Sequence, residues 1–349
     1  MNTAGETFAA VPMQTVGPMR IVSNELDGTV STPLATYETP LWPSVARGAA
    51  VSMQTSGIHA VVVDERMTRS VLLEASDAQA AVTTARSLQQ NRGAFEAAAA
   101  RTSRFARLID WHYQIVGNLL FLRLEMTTGD AAGHNMVTAA ADAVLEWLLG
   151  TYPSLRYVSV SGNFCSDKKA TAVNGILGRG KYVVAEMTVA ARICQRYLKT
   201  SPTKIVELNL KKNWIGTGLA GGVRSANAHF ANMLLSFYLA TGQDAANIVE
   251  GSQGFVHAEV RAGALYFSTT LPNLIVGTVG SGKNLPFVRE NLERLGCLEK
   301  CPPGRNARRL AVIAAATVLC GELSLLGAQT NRGELMRSHF QLERGCSIA

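Results

Sequence analysis

Apolar positions along the chain follow two rhythms, and the order in which the rhythms alternate predicts a fold. Residues 70–75 (SVLLEA) read as a strand, and residues 76–90 follow with an alanine-rich helical pattern. Residues 105–126 return to strand material, broken at Gly117-Asn118 in the manner of a hairpin turn. Met136, Val137, Ala140, Val144 and Leu148 then recur at helical spacing within residues 133–150, and residues 156–160 read as another strand. The order β-α-β-β-α-β is that of a split βαβ, ferredoxin-like unit.

The flanking segments differ in character. Residues 1–69 are rich in Thr, Val, Pro and Gly, whereas alanine- and leucine-rich helical patterns dominate from residue 218 onward. The expectation is an α+β chain in which a small ferredoxin-like domain, residues 70–160, is inserted into a large mixed domain of residues 1–69 and 161–349 built around a long buried helix. At 349 residues the chain exceeds the size at which single cores stop growing. The stretch SANAHFANMLLSFYLATG, residues 225–242, is apolar around most of its circumference and reads as buried helix. Asn227, His229 and Asn232 would be costly there unless they point into a site.

Charge narrows the partners. Thirty-three Lys and Arg against 26 Asp and Glu give +7, which favours anionic ligands. Only 7% of residues are aromatic and no basic stripe runs along the chain, a poor match to a nucleic-acid binder. The longest apolar run, residues 310–320, falls short of the roughly 20 residues of a membrane span, and residues 1–20 carry no signal-like pattern, so no membrane partner and a cytoplasmic protein are expected. Six scattered cysteines read as reduced thiols, and Cys297 and Cys301 lack a second pair to complete a zinc site, so no metal is expected.

Candidate chemistry lies in six places. Asp167-Lys168-Lys169 sits between an apolar run and a glycine-punctuated one, where strongly hydrated ammonium groups would ordinarily mark a solvated turn. In TTGDAAGHNM, residues 127–136, Gly133 opens a helix whose N-terminal N–H groups suit a phosphate or ribose, and GTVGSG, residues 277–282, lets backbone approach a ligand closely. Glu38 lies among apolar and proline residues, Asp244 follows the apolar helix, and His339 lies near the C-terminus. A lysine, two acids and a histidine are what carbonyl reduction requires: a cation for the developing oxyanion, proton donors, and a carboxylate that tunes the cation.

SGNFCSDKKATAVNGILGRGK, ELNLKKNWIGTGLAGGVRSANAHFANM, ATGQDAAN, LPNLIVGTVGSG, GDAAGHNM and RSH resemble, over essentially the whole chain and in the same order, segments of 3-hydroxy-3-methylglutaryl-coenzyme A (HMG-CoA) reductase, most similar to the class I catalytic domain in its short soluble bacterial form. The resemblance implies reduction of HMG-CoA to mevalonate and CoA by two NADPH, for isoprenoid synthesis, in a homodimer or dimer of dimers with active sites at the subunit interface. It assigns Lys168 to the thioester oxygen, Glu38 to proton donation, Asp244 to tuning both, so that Lys168 is held by Asp244 and Glu38, and His339 to protonation of the CoA thiolate.

By the same resemblance Arg69, Ser161, Asp167, Lys169, Lys212, His229 and Asn232 line the hydroxymethylglutaryl pocket. Ser103, Arg104, Asp130, Ala132, Gly133, His134, Asn135, Val279 and Gly280 would contact NADPH, with Arg104 suited to a 2′-phosphate. The chain departs from the pattern at Met1, where a glutamate is usual, at Ala132 and His134, where methionines are more frequent, and at Ser281, which replaces a glycine. The alternative is a catalytically silent relative that binds acyl-CoA or nucleotide on the same scaffold.

Overall fold

The computed structural model describes residue 7 and residues 9–343, with residues 338, 339 and 341–343 given by backbone only. Met1 therefore lies outside the described residues. The large sheet is mixed, in the order β2 (Asp27–Ala35), β1 (Met13–Val22), β3 (Ile58–Ala75), β7 (Gly180–Val189), β10 (Ala264–Leu274), β9 (Gly254–Arg261) and β8 (Ser225–Ala226). Alternation explains its faces: in β7 the odd positions Val183, Ala185, Met187 and Val189 are buried while their neighbours are not.

The 18-residue β3 joins two sheets. Its first half pairs with β1 and β7, and from Met67 its partners become β5 (Leu119–Met126) and β6 (Leu155–Ser159), all antiparallel in this second sheet. With β4 (Leu108–Val116) on β5, the second sheet has the order β4-β5-β3-β6. Gly117 and Asn118 form the β4–β5 turn. Helices Ala78–Gln90 and His134–Thr151 pack on this sheet through Ala81, Ala85, Leu88, Val137, Ala140, Val144 and Leu148, which share one apolar cluster with Val71, Leu73, Leu120 and Leu122. The buried Arg123 on β5 donates to the Gly178 carbonyl at 2.6 Å just ahead of β7, tying the two sheets together.

The long buried helix is Arg305–Gln329, 25 residues. Its Leu310, Ile313, Leu319, Leu323 and Leu326 lie in the large core with Phe230, Phe237 and Phe267. It is long and apolar enough to cross a membrane by length and composition, but 94% of its apolar window is buried inside the fold. Helix Leu41–Ser52 crosses it at Gly48, where a Cβ would stand 2.1 Å from the Cys320 carbonyl oxygen; only glycine permits that approach.

One element differs from the sequence expectation. Residues 225–242 are not one helix: Ser225 and Ala226 form β8, and the helix spans Phe230–Ala240. Asn227 belongs to the turn between them. Its Nδ2 donates to Ser225 Oγ and to the Ser252 and Gly254 carbonyls, and its Oδ1 accepts from Phe230 N. The short-range bonds to Ser225 and Phe230 compete with continuing the helix, and those to Ser252 and Gly254 hold the turn against a distant segment.

Candidate active site

The loop between β6 and β7 carries the Asp167-Lys168-Lys169 triplet in an unusual backbone. Asn163, Ser166 and Lys168 have φ of 57°, 48° and 55°, a region that side-chain-bearing residues seldom occupy. The Lys168 ammonium lies 2.7 Å from Asp244 Oδ2. That pairing holds the Lys168 pKa above its ordinary value. Burial pushes the Asp244 carboxyl up, but Lys168 and the Ala246 N–H outweigh it and leave it below the usual aspartate range.

Asp167 lies in the same loop with different partners. Arg179 Nη2 is 2.9 Å from its Oδ1, Arg69 Nη1 is 4.0 Å from its Oδ2, and His134 Nε2 is 3.8 Å from its Oδ1. Lys169 is exposed, its ammonium donating to the Asp167 carbonyl at 3.1 Å. Ser161 accepts from Ser159 Oγ through its carbonyl, and its N–H donates back to that hydroxyl.

Glu38 stands at the turn between β2 and helix Leu41–Ser52, and Asn232 Nδ2 donates to its Oε2 at 2.8 Å. Among the described residues the Lys168 ammonium pairs with Asp244 and not with Glu38, so the two-carboxylate grip expected from the sequence has one member in contact. His229 precedes the Phe230–Ala240 helix, with Nε2 3.1 Å from the Gly321 carbonyl. The Ala228 and His229 backbone N–H groups donate to Glu322, a fully buried carboxyl on the long helix whose burial raises its pKa. Lys212 lies in a wide π-type turn, its pKa lowered by burial and opposed by Glu322. His339 falls in helix Glu334–Glu343, and its side chain lies outside the described residues.

The two glycine turns found separately in the sequence are one structure. Ala131 bridges Val279 in parallel, Thr278 N–H donates to the Asp130 carbonyl at 2.8 Å, and a Cβ on Gly277 would stand 2.3 Å from Ala132 N. Gln243, the neighbour of Asp244, accepts from Gly277 N–H at 2.9 Å, and Lys283 donates to the Gly242 carbonyl. The Asp244 turn is thereby fixed to the joined glycine turns. Asp130 anchors the loop from behind: its carboxylate accepts from Gly304 N and Ala307 N, both at 3.0 Å, capping the long helix.

Gly133, with φ of 101°, opens helix His134–Thr151, where Asn135 is exposed and burial lowers the His134 pKa. Val279 and Gly280 are exposed on the facing turn. Arg104 and Arg107 border a cleft of about 590 Å³ with Glu65, Phe105, Thr127, Gly129 and Pro303, and the Arg104 guanidinium rests over the Phe105 ring at 4.8 Å. Ser103 Oγ accepts from Phe105 N–H in the same loop. Two guanidinium groups beside a loop that leads to a free helix N-terminus suit a phosphorylated dinucleotide.

Residues 5–344 match the family profile described as hydroxymethylglutaryl-coenzyme A reductase. The chain belongs to the HMG-CoA reductase family. The 3-hydroxy-3-methylglutaryl-coenzyme A reductase of Pyrococcus abyssi is 43% identical over 337 residues, covering 96% of this chain and 82% of the relative. The reductase of the same name from Strongylocentrotus purpuratus is 38% identical over 350 residues, 97% of this chain and 36% of the relative. A class II 3-hydroxy-3-methylglutaryl-CoA reductase from Streptococcus pneumoniae, bound to NADPH in open conformations, shares the fold with a TM-score of 0.74 at 18% identity, covering 95% of this chain and 88% of that one. These sequence relatives are archaeal and animal, and the structural neighbour is class II, which gives no support to the class I bacterial form expected from the sequence.

Several groups that hold these turns in place carried almost no mark in the sequence. Glu250 and Arg179 form a buried pair at 2.9 Å beneath the Asp167-Lys168 loop, and Gln243 and Glu322 fix the aspartate turn and the His229 turn. An acid within an apolar run, as Glu322 is in CGELSLL, is the one such mark a reader could have followed.

Proposed function

We propose that this chain reduces HMG-CoA to mevalonate and CoA with NADPH. The observation that carries the reading is the Lys168–Asp244 pair, a cation kept charged at the mouth of a cofactor loop it is physically tied to. When bound, NADPH supplies hydride, once for the thioester and once for the aldehyde. Lys168 holds the thioester oxygen as negative charge develops, and Asp244 keeps the ammonium protonated while it does so.

Collapse of the hemithioacetal breaks the C–S bond, and His339 protonates the departing thiolate, making re-addition slow. Glu38, steadied by Asn232, donates the proton that completes the alcohol. Arg69, Lys169, Lys212 and His229 supply the positive and hydrogen-bonding groups that answer the free carboxylate of the hydroxymethylglutaryl moiety, with Ser161 and Asp167 beside them. Arg104 selects NADPH over NADH by its reach to a 2′-phosphate.

Within the family we assign the chain to class I, because identity to the archaeal and animal relatives is about twice that to the class II chain. We divide it at the partner switch of β3, with residues 70–160 carrying the cofactor and the remainder the acyl-CoA. Homodimers or dimers of dimers are supported by exposed apolar residues on one segment, Leu210, Ile215 and the 90% exposed Leu219. Burial of the apolar helix inside the fold supports action in the cytoplasm, apart from a membrane.

The test is product analysis with HMG-CoA and either NADPH or NADH. Mevalonate together with one equivalent of free CoA thiol, formed faster with NADPH, is the expected result. Folded protein that binds HMG-CoA but forms no mevalonate with either cofactor would instead identify a silent binding relative.

A further inference from the structure

We propose that Glu250 is a positioning residue for Lys168, so that a single turn, residues 244–250, grips the lysine at both ends. The inference rests on Lys168 being the oxyanion-holding group. Asp244, at the start of the turn, takes the ammonium at 2.7 Å, and Glu250, at its end, accepts the backbone N–H of the same lysine on Oε1 at 3.0 Å.

Glu250 is fully buried on the short helix Ile248–Gly251 and is itself held rigidly. Its Oε1 also accepts from Arg179 Nη1 at 2.9 Å and Asn247 Nδ2 at 3.1 Å. Arg179, equally buried, reaches Asp167 with its other terminal nitrogen at 2.9 Å. The Asp167-Lys168 step is therefore pinned from below by an ion pair that solvent does not reach.

A lysine in the left-handed region is strained, and such a conformation persists only where surrounding contacts over-determine it. The N–H bond to Glu250 is the contact that does so. Fixing N and Cα fixes the Cα–Cβ direction and hence where the four-carbon stem can aim. Without that hold the loop is free to relax to an ordinary backbone, which swings the ammonium off Asp244 and away from the substrate oxygen. A misplacement of about 1 Å is enough to cost on the order of 100-fold in rate.

The experiment compares Glu250→Gln and Glu250→Ala in the full chain, with thermal unfolding as the check on folding. Glutamine keeps an acceptor where Oε1 stands, so turnover within about tenfold of wild type is expected. Alanine removes it, and kcat falls about 100-fold while KM for HMG-CoA and for NADPH changes less than about threefold. Arg179→Lys, which retains charge but not the fork, falls between them.

An independent readout is the titration of Lys168 itself, followed by NMR of ¹³C-methylated lysines and assigned with Lys168→Arg. Its raised pKa persists in Glu250→Gln and returns toward the ordinary lysine value in Glu250→Ala. Wild-type kcat in Glu250→Ala, or an unchanged Lys168 titration there, overturns the proposal, as does a glutamine variant as impaired as the alanine one. A wild type with no reductase activity but with the predicted Lys168 titrations would sink the functional reading and leave the positioning role standing.

Discussion

The Lys168 ammonium and the Asp244 carboxylate lie 2.7 Å apart although neither side chain is buried, with 41% and 43% of their surfaces exposed. Exposed pairs of this kind contribute about 0–1 kcal/mol to stability. The pair therefore adds little to stability, and on the proposed role activity and stability should separate. Lys168→Ala and Asp244→Asn are expected to melt within about 2–4 °C of wild type while kcat falls by at least about 100-fold. Calorimetry alongside steady-state rates checks this.

Gly277 is the glycine on which the joined loops depend. A Cβ there meets Ala132 N at 2.3 Å, Ala131 C at 2.7 Å and the Asp130 carbonyl at 2.9 Å, all backbone that cannot step aside singly. Gly277→Ala should destabilise the chain by roughly 1–3 kcal/mol and raise KM for NADPH more than KM for HMG-CoA. Gly218→Ala, where a Cβ meets nothing within 4 Å, is the control.

Lys283 is buried against the Gly242 carbonyl, and burial pulls its pKa down to about 8. Its folded value is below its unfolded one, so the unfolded chain binds more protons between about pH 8 and 10.4, and wild-type stability rises across that window. Roughly 3 kcal/mol of strain against the charge is present at pH 7, offset in part by about 1 kcal/mol for the hydrogen bond. Lys283→Met is expected to raise Tm at pH 7, with the advantage shrinking as pH rises above 8. Melting curves from pH 7 to 10 measure it.

His134 behaves as a depressed histidine: burial lowers its pKa, Arg179 adds to that, Asp167 and Asp244 oppose it, and Lys168 lowers it again. Its proton is bound more tightly in the unfolded chain, so stability falls as pH drops below about 6.5, the ordinary histidine value. His134→Gln should flatten that acid limb without shifting Tm at pH 8. Unfolding midpoints between pH 5 and 8 decide the matter.

What was legible in the sequence follows from locality. The Ala78–Gln90 and His134–Thr151 helices and the β4–β5 hairpin each announce themselves in fewer than 20 residues, through periodicity and the Gly117-Asn118 turn. The long strand β3 does not, because IHAVVVDERMTR trades alternation for polar residues where its partners change between sheets. The turn at Asn227 was hidden inside an apolar run, since its bonds to the Ser252 and Gly254 carbonyls, 25 and 27 positions away, form only in the folded chain. The long helix Arg305–Gln329 was visible only as an apolar run. The motifs around Lys168 and Asp244 were recognisable through resemblance, but Glu250 and Arg179, 71 positions apart, meet only in the folded chain.

The most direct measurement is loss of NADPH absorbance on adding HMG-CoA, run in parallel for the wild type and Lys168→Ala with mevalonate quantified at the end. The account predicts two NADPH consumed per mevalonate in the wild type and a rate at least about 100-fold lower in the variant, at nearly unchanged Tm. Equal rates in the two proteins would contradict the assignment of the thioester oxygen to Lys168.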